Sequence, residues 1–375
     1  MVKLFVTGDN HIGMKYSSHD KADVLIARRI TAFRDMVERA NIENCDIFVI
    51  TGDLFHNTSG IAKKDIKALL EMLTQFRGTV VVLPGNHDYY DKDVKVWQYF
   101  EDVMTTCDNI LLIKEYKPYT LYLDNGEVTL YPAHCTSLHS APGQNNLGWI
   151  KNEDISPDST YRIGIAHGAV EGESLDKEGA YFQMKRSELE CIPMDAWLIG
   201  HTHVPFPKNL TEEFCACERI FNAGTHVQTD VSCNTEGLCF IVEISADKTV
   251  RAKKFVSGNI CFYRKNIAVT AGDFESILNR ELAELPDNSV VDLILTGAVT
   301  PEEYEDRTDI IEDALSRFVE GTYNDYSLSK LISKTLIESE FPETSFSAGL
   351  LSSLMTEPKE AQLVYELLKS LKEGK

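Results

Sequence analysis

Five short apolar runs punctuate the N-terminal part of the chain: Leu4 to Thr7, Ile47 to Thr51, Val80 to Pro84, Arg162 to Ala166 and Ala196 to Ile199. Each stops abruptly at a Gly, Asp, Asn or His. Short runs rich in Val, Ile and Leu predict strands buried on both faces. Between the first two, a helical pattern runs from about Ala22 to Asn41, with Val24, Ile30, Phe33 and Val37 near helical spacing; another runs from about Ala62 to Phe76. The order β-α-β-α-β marks a layered α/β domain. Leu121 to Leu123 and Val128 to Tyr131 flank Asp124-Asn125-Gly126, a hairpin signal. Gly237 to Ile244 and Thr249 to Val256 read as strands with no helix between them, and a second sheet is expected from that stretch. The predicted fold class is α/β, two packed mixed β-sheets flanked by helices.

The chain has 375 residues, enough for two domains at about 150 residues each. Composition shifts after about Asn266: residues 266–375 carry 9 Lys plus Arg against 22 Asp plus Glu, a net of −13. The predicted domains are therefore residues 1–265 and a smaller, acidic α+β domain over 266–375. In the latter, Val290 to Leu295 reads as a strand. Thr300-Pro301-Glu302-Glu303 is a capping box with Pro at the first helical position, opening a helix to about Val319 that Gly321 closes. A last helix starts near Pro358 with Val364, Leu367, Leu368 and Leu371 on one face. The whole chain sums to −21, which disfavours unaided binding to a polyanion. No apolar run approaches the roughly 18 residues of a membrane span, and Leu4 to Val6 is cut short by Gly8 and Asp9, so no secretory signal is expected. Nine scattered cysteines, with only Cys215 and Cys217 close together, suit reduced thiols and a cytoplasmic protein.

The residues that end the apolar runs carry the chemistry. They are Asp9 and His11; Gly52, Asp53 and His56; Asn86, His87 and Asp88; His167; His201 and His203. Carboxyl ends of neighbouring strands form one rim in layered α/β folds, so these groups should converge. Carboxylate, amide carbonyl and imidazole together suit manganese, iron or zinc. One metal would leave ligands over. Two metals sharing one carboxylate, best supplied by Asp53 in the middle of the series, would use them all and turn a water into a nucleophile for phosphoryl displacement. His19, His134 and His139 read as ordinary surface or core histidines. His226, which follows a strand end at Gly224, is left open between touching the site and lying away from it.

Asp9-x-His11, Gly52-Asp53, Gly85-Asn86-His87-Asp88, His167 in Ala-His-Gly, and Gly200-His201-Thr202-His203 resemble, in order, the five motifs of the calcineurin-like metallophosphoesterases. Gly52-Asp53-Leu54-Phe55-His56 and Ala166 to Gly172 are similar to the DNA-repair exonuclease branch typified by SbcD, and Glu340 to Phe346 resembles the YhaO-type members. The motifs span residues 1 to about 262. The resemblance implies one metal on Asp9, His11, Asp53 and His203, and the other on Asp53, Asn86, His167 and His201. It makes His87 the general acid, Asp88 the group that orients it, and His56 the residue that binds the scissile phosphate. Asn222-Ala223-Gly224-Thr225-His226 departs from the family's Gly-Ser pair followed by a polar turn.

Three functions follow as expectations. The first is a manganese-dependent DNA exo- or endonuclease acting in repair. No Gly-x-x-x-x-Gly-Lys-Ser/Thr loop is present, so ATP use would come from a partner, in relatives an SbcC-like ABC-type ATPase. DNA binding by the chain alone should be weak, and homodimer formation is left open. The second is a stand-alone small-molecule phosphatase or phosphodiesterase, which the net acidity favours. The third, a non-catalytic scaffold, would have no need of the full ligand set.

Overall fold

The computed structural model describes residues 1–153, 155, 160–172, 180–233 and 235–373. The chain divides into two compact units, Met1–Cys261 and Phe262–Lys375. In the first unit the elements run β1 (Val2–Thr7), α1 (Ala22–Ile42), β2 (Ile47–Ile50), α2 (Lys63–Leu73), β3 (Thr79–Val82), α3 (Lys95–Met104) and β4 (Ile110–Leu112). They continue with β5 (Tyr119–Leu123), β6 (Gly126–Ala133), α4 (Gly148–Asn152), β7 (Tyr161–His167), α5 (Arg186–Cys191) and β8 (Ala196–Gly200). Strands β9 (Cys215–Ala216), β10 (Ile220–Asn222), β11 (Leu238–Ile244) and β12 (Val250–Val256) complete the unit.

One sheet has the order β4-β3-β2-β1-β11-β12-β9 and the other β10-β8-β7-β6-β5. β1 to β4 pair in parallel, as do β6, β7 and β8, while β11 joins β1 antiparallel. The period-two alternation of the strands decides which layer each side chain enters. Phe5, Phe48, Ile50, Val80 and Val82 face a core shared with Phe33, Leu69 and Phe100 of α1 to α3. Leu4, Val6, Ile47, Val49 and Val81 face the other way and meet Leu130, Ile163, Ile165 and Leu198 of the second sheet. Outside that sheet, Tyr131 and Trp197 pack with Ile150 and Leu189 of α4 and α5. The result is helix, sheet, sheet, helix, the layered mixed architecture expected from the sequence.

The origin of the second sheet is a correction. β11 and β12 extend the first sheet beside β1, and the second is built from the β5–β6 hairpin with β7, β8 and β10. The apolar runs of β11 and β12 identify strands but not partners, and the β1–β11 pairing joins residues more than 230 positions apart, as in Val6 with Phe240.

The second unit is built on β13 (Cys261–Thr270), α6 (Phe274–Leu282), β14 (Ser289–Val299), α7 (Pro301–Glu305), α8 (Arg307–Leu315) and β15 (Glu320–Lys330). α9 (Lys334–Glu340), α10 (Phe346–Leu354) and α11 (Pro358–Glu373) follow. Its sheet has the order β13-β14-β15. The 265/266 position falls inside β13, whose pairing with β14 carries it into this unit. The capping box forms as expected, with Glu303 N–H donating to Thr300 Oγ1 and Thr300 N–H to Glu303. The helix it opens is shorter than expected: it breaks at Asp306, resumes as α8 and ends at Leu315. Gly321 is not its stop signal but lies in β15. The expected apolar face of α11 is also split. Val364 and Leu368 pack with Ala361, Tyr365 and Leu351, while Leu363, Leu367 and Leu371 stand 68%, 60% and 69% exposed. No helix among the described residues is long and apolar enough to cross a membrane.

Candidate metal centre

Asp9 and His11 follow β1, Asp53 and His56 follow β2, Asn86 and His87 follow β3, His167 ends β7, and His201 and His203 follow β8. Both sheets present these carboxyl ends to one rim. The turns are tight and strained: Asp9, His11, Asp53 and His201 all have positive φ, at 48°, 45°, 52° and 115°. Such conformations cost about 1–3 kcal/mol each and persist only where the surroundings impose them. Here backbone bonds impose them, from Asp9 N–H to Gly52 O (3.0 Å) and His11 N–H to Asp53 O (2.9 Å). Gly52 is required in this packing, since a Cβ there, at φ 108°, would lie 2.1 Å from His167 Nδ1.

Two clusters of donor atoms result. In one, His11 Nε2 and His203 Nε2 are 3.2 Å apart beside Asp9. In the other, Asn86 Oδ1 lies 3.0 Å from both His167 Nε2 and His201 Nδ1. Asp53 stands between them. Its Oδ2 is 4.0 Å from His11 Nε2 and its Oδ1 is 3.5 Å from His167 Nε2. Each carboxylate oxygen therefore faces one cluster. His167 Nδ1–H donates to Thr51 O at 2.9 Å, which turns Nε2 toward Asn86 and Asp53. Asp9 accepts the His201 N–H at 3.0 Å, and Asp53 Oδ1 accepts the His87 N–H at 2.8 Å.

The electrostatics of this centre are those of a cation site. Burial is the largest influence on each group. It pushes Asp9 up to about 7, helped by the charge of Asp53. Burial would raise Asp53 too, but the charge and hydrogen bond of His167, then His11 and His87, hold it well below the carboxylate range. Burial would lower His167, yet Asp53 and Asp9 lift it to about 9. Burial drives His201 down to about 3, with His167 adding to the effect, and His203 to about 4, with Arg29 adding to it. His11 is likewise held well below the usual imidazole range. Neutral His11, His201 and His203, with protonated His167 and two buried acidic groups, form a donor set in which a divalent cation would replace the proton on His167. The set fits two metals: Asp9, His11, Asp53 and His203 would hold one, and Asp53, Asn86, His167 and His201 the other.

His56 and His87 stand on the open side, rings stacked with centroids 5.8 Å apart. His11 Nδ1 lies 3.4 Å from His56 Nδ1, and His11, His56 and His87 converge as a third group of nitrogens. Asp88 does not orient His87. Its carboxylate is fully buried and accepts the N–H groups of Phe55 (2.9 Å) and Gly85 (2.7 Å), tying the loop after β2 to the loop after β3. What holds the His87 ring is the carbonyl of His56, which accepts from Nδ1 at 3.3 Å. His226 is no ligand: it lies buried behind Asp9, with Nδ1 3.2 Å from Asn10 Nδ2 and Nε2 donating to Arg29 O at 3.2 Å. His134 is buried and stacked on Tyr116, with centroids 4.3 Å apart. His139 is exposed and meets Tyr181, whose ring packs on His201. His19 stands beside Tyr16.

Arg29 was not singled out from the sequence. A basic residue on a helix beginning at Ala22 reads as solvated, yet this one is only 2% exposed.

The profile of calcineurin-like phosphoesterases matches residues 2–205, more than half of the chain. The chain belongs to the calcineurin-like phosphoesterase family. Calcineurin-like phosphoesterases are metal-dependent hydrolases with a dinuclear centre, and the His and Asp clusters of this one could hold metal. Among solved structures, TT1561 of Thermus thermophilus is 10% identical and covers 68% of this chain and 99% of its own, with a TM-score of 0.43. A protein described as a novel archaeal phosphodiesterase is 14% identical and covers 68% of this chain and 100% of its own, with a TM-score of 0.31. Likenesses this distant bear on neither substrate nor mechanism.

Proposed function

We propose that this calcineurin-like phosphoesterase is a cytoplasmic, manganese-dependent DNA phosphodiesterase, an exo- or endonuclease of DNA repair that works with an SbcC-like ATPase. The observation that carries the hydrolytic part is the arrangement around Asp53, one oxygen toward His11 and the other toward His167. Two cations, when bound there, would supply charge neutralisation at the phosphate and an activated water. The chain's own groups do the rest. His56, half-exposed beside His11, binds the scissile phosphate. His87 is free of the two donor clusters and is held through Nδ1 by the His56 carbonyl, so its Nε2 delivers a proton to the leaving oxygen.

The nuclease assignment rests on the resemblance of residues 52–56 and 166–172 to the SbcD-type branch. A net charge of −21 makes long duplex a poor ligand for the isolated chain, so a partner with basic surface is part of the proposal. The exposed Leu363, Leu367 and Leu371 of α11 are its proposed docking face. The same acidity favours a second reading, hydrolysis of small nucleotides without a partner.

One experiment separates the two. Metal-stripped protein reloaded with manganese is offered bis(p-nitrophenyl) phosphate, nucleotides, single-stranded DNA and duplex ends. The nuclease reading expects cleavage of the ester and of DNA, rising when the ATPase is added. Turnover of nucleotides alone, with DNA untouched in the presence of the ATPase, would refute it.

A further inference from the structure

The segment between β1 and α1 holds three non-glycine residues at positive φ, namely Asp9, His11 and Tyr16 at 48°, 45° and 49°. Two of these are candidate ligands of the same half of the centre. A strained segment relaxes unless something outside it holds both ends. Backbone bonds hold Asp9 and His11 from one side, to Gly52 and Asp53, and Arg29 on α1 holds the segment from the other. Its Nη1 donates to Asn10 O at 2.7 Å, between the two ligands, and its Nε donates to the Tyr16 hydroxyl at 2.9 Å. Its Nη2 reaches Val227 O at 3.2 Å and Gln228 O at 3.4 Å.

The loop that supplies those last carbonyls completes the grip. Thr225 Oγ1 donates to Asp9 O at 2.9 Å. Asn10 Nδ2 lies 3.0 Å from Thr7 Oγ1 and 3.2 Å from His226 Nδ1. His226 Nε2 donates to the backbone carbonyl of Arg29, closing the circuit from helix to loop to ligand segment. Thr7, Asn10, Arg29, Thr225 and His226 are all buried.

Electrostatics alone gives no reason for this guanidinium. Among the described residues Arg29 forms no ion pair; the buried cation is held by neutral oxygens and lies 5.8 Å from the centre of the Tyr16 ring, an arrangement that costs stability. Beside a centre that takes up cations, its charge also opposes them. Its geometry is what recommends it, since a planar fork spreads five donors over three nitrogens and reaches acceptors on different segments, where an ammonium offers three from a single atom.

We infer that Arg29, with Asn10 and His226, is a positioning clamp for one half of the metal centre, holding Asp9 and His11 on the metal they share with His203. The Asn86, His167 and His201 half has its own tie in the bond of His167 to Thr51, and meets the clamped half at Asp53 and at the bond from His201 N–H to Asp9. The inference rests on the two-metal reading proposed above.

The test is manganese titration of the metal-stripped full chain by calorimetry, with thermal melting of the metal-free protein alongside. The probe variants are Arg29→Lys, which keeps the charge and loses the fork, and Arg29→Met, which loses both. In each, one of two ions should bind about 10–100-fold more weakly, the usual span for groups that orient metal ligands. The other ion should bind as in the wild type. If Lys restores wild-type binding and Met tightens it, Arg29 acts by charge and the clamp is wrong. Equal weakening of both ions, or a lower melting temperature with both affinities intact, overturns it as well. Should neither Arg29 variant fold, His226→Ala carries the test: selective loss of one ion supports the clamp and a wild-type titration refutes it. Wild-type protein that fails to bind two manganese ions would remove the two-metal reading itself, whereas two ions bound with unchanged variants would remove the clamp alone.

Discussion

Replacing Asp88 by Asn distinguishes a residue that holds loops from one that tunes a catalytic acid. Both Asp88 oxygens are spent on backbone donors, Gly85 N–H at 2.7 Å and Phe55 N–H at 2.9 Å, and the side chain has no solvent access. An Asn presents one oxygen and one NH2, so one of those N–H groups faces another donor. A buried donor left without an acceptor costs about 1–3 kcal/mol, and the surviving bond loses its charge assistance, about 1 kcal/mol more. Burial, helped by the charge of Asp53, raises the Asp88 carboxyl to about 7, so Asp88→Asn should lower unfolding free energy by about 2–4 kcal/mol in urea denaturation of the metal-free chain above that pH. It should also slow hydrolysis of good and poor leaving groups by a similar factor, because the loops carrying Asp53 and Asn86 lose their tie together. The decisive assay is a leaving-group series, p-nitrophenyl against phenyl and methyl esters. Stability within about 0.5 kcal/mol of wild type, combined with a defect that grows as the leaving group worsens, would show that Asp88 does serve His87 and would refute the reasoning.

Further outcomes follow from the same geometry. His87→Ala should keep both metals and lose about 10²–10⁴-fold in turnover, with a p-nitrophenyl leaving group recovering much of the loss; metal loss, read by elemental analysis, would make His87 a ligand. Glu303 accepts the N–H groups of Thr300, Gly272 and Phe274, and burial, which would raise it, is outweighed by those bonds, so its carboxyl lies below the usual value. A carboxylate depressed in the folded state contributes stability above its unfolded pKa of about 4.3 and loses it as pH falls through the folded value, so the effect of Glu303→Gln on melting should be full at pH 7 and fade below about pH 4. Exchanging Leu363, Leu367 and Leu371 together for Ser should leave ester hydrolysis and melting near wild type while abolishing co-purification of the ATPase; equal recovery would remove α11 as the docking face.

The sequence made the longer strands of the first unit legible, together with the residues just past them, because buried strands of four or more residues are apolar runs with abrupt ends; β4, β9 and β10, of two or three residues, were too short to stand out. What it could not show was direction. Asp88 follows His87 immediately, which suggested a pair, but the two side chains leave their turn toward different partners, His87 to the His56 carbonyl and Asp88 to buried backbone N–H groups. Arg29 escaped and His226 stayed open for a related reason: burial of a polar side chain is set by partners distant in sequence, here Asn10 against both. β15 was missed because Glu320–Lys330 is largely polar. It lies at the edge of its sheet with few inward side chains, so no alternating apolar pattern was there to read. The same edge placed Gly321 in a strand where local signals suggested a helix stop.

The most direct measurement is the metal content of wild type and Asp53→Asn, taken with phosphodiester turnover on the same preparations. Because the two oxygens of Asp53 face different donor clusters, wild type should bind two manganese ions per chain and hydrolyse bis(p-nitrophenyl) phosphate. Asp53→Asn should lose bound metal and all measurable turnover. An Asp53→Asn protein that keeps two ions and near-normal turnover would contradict the account.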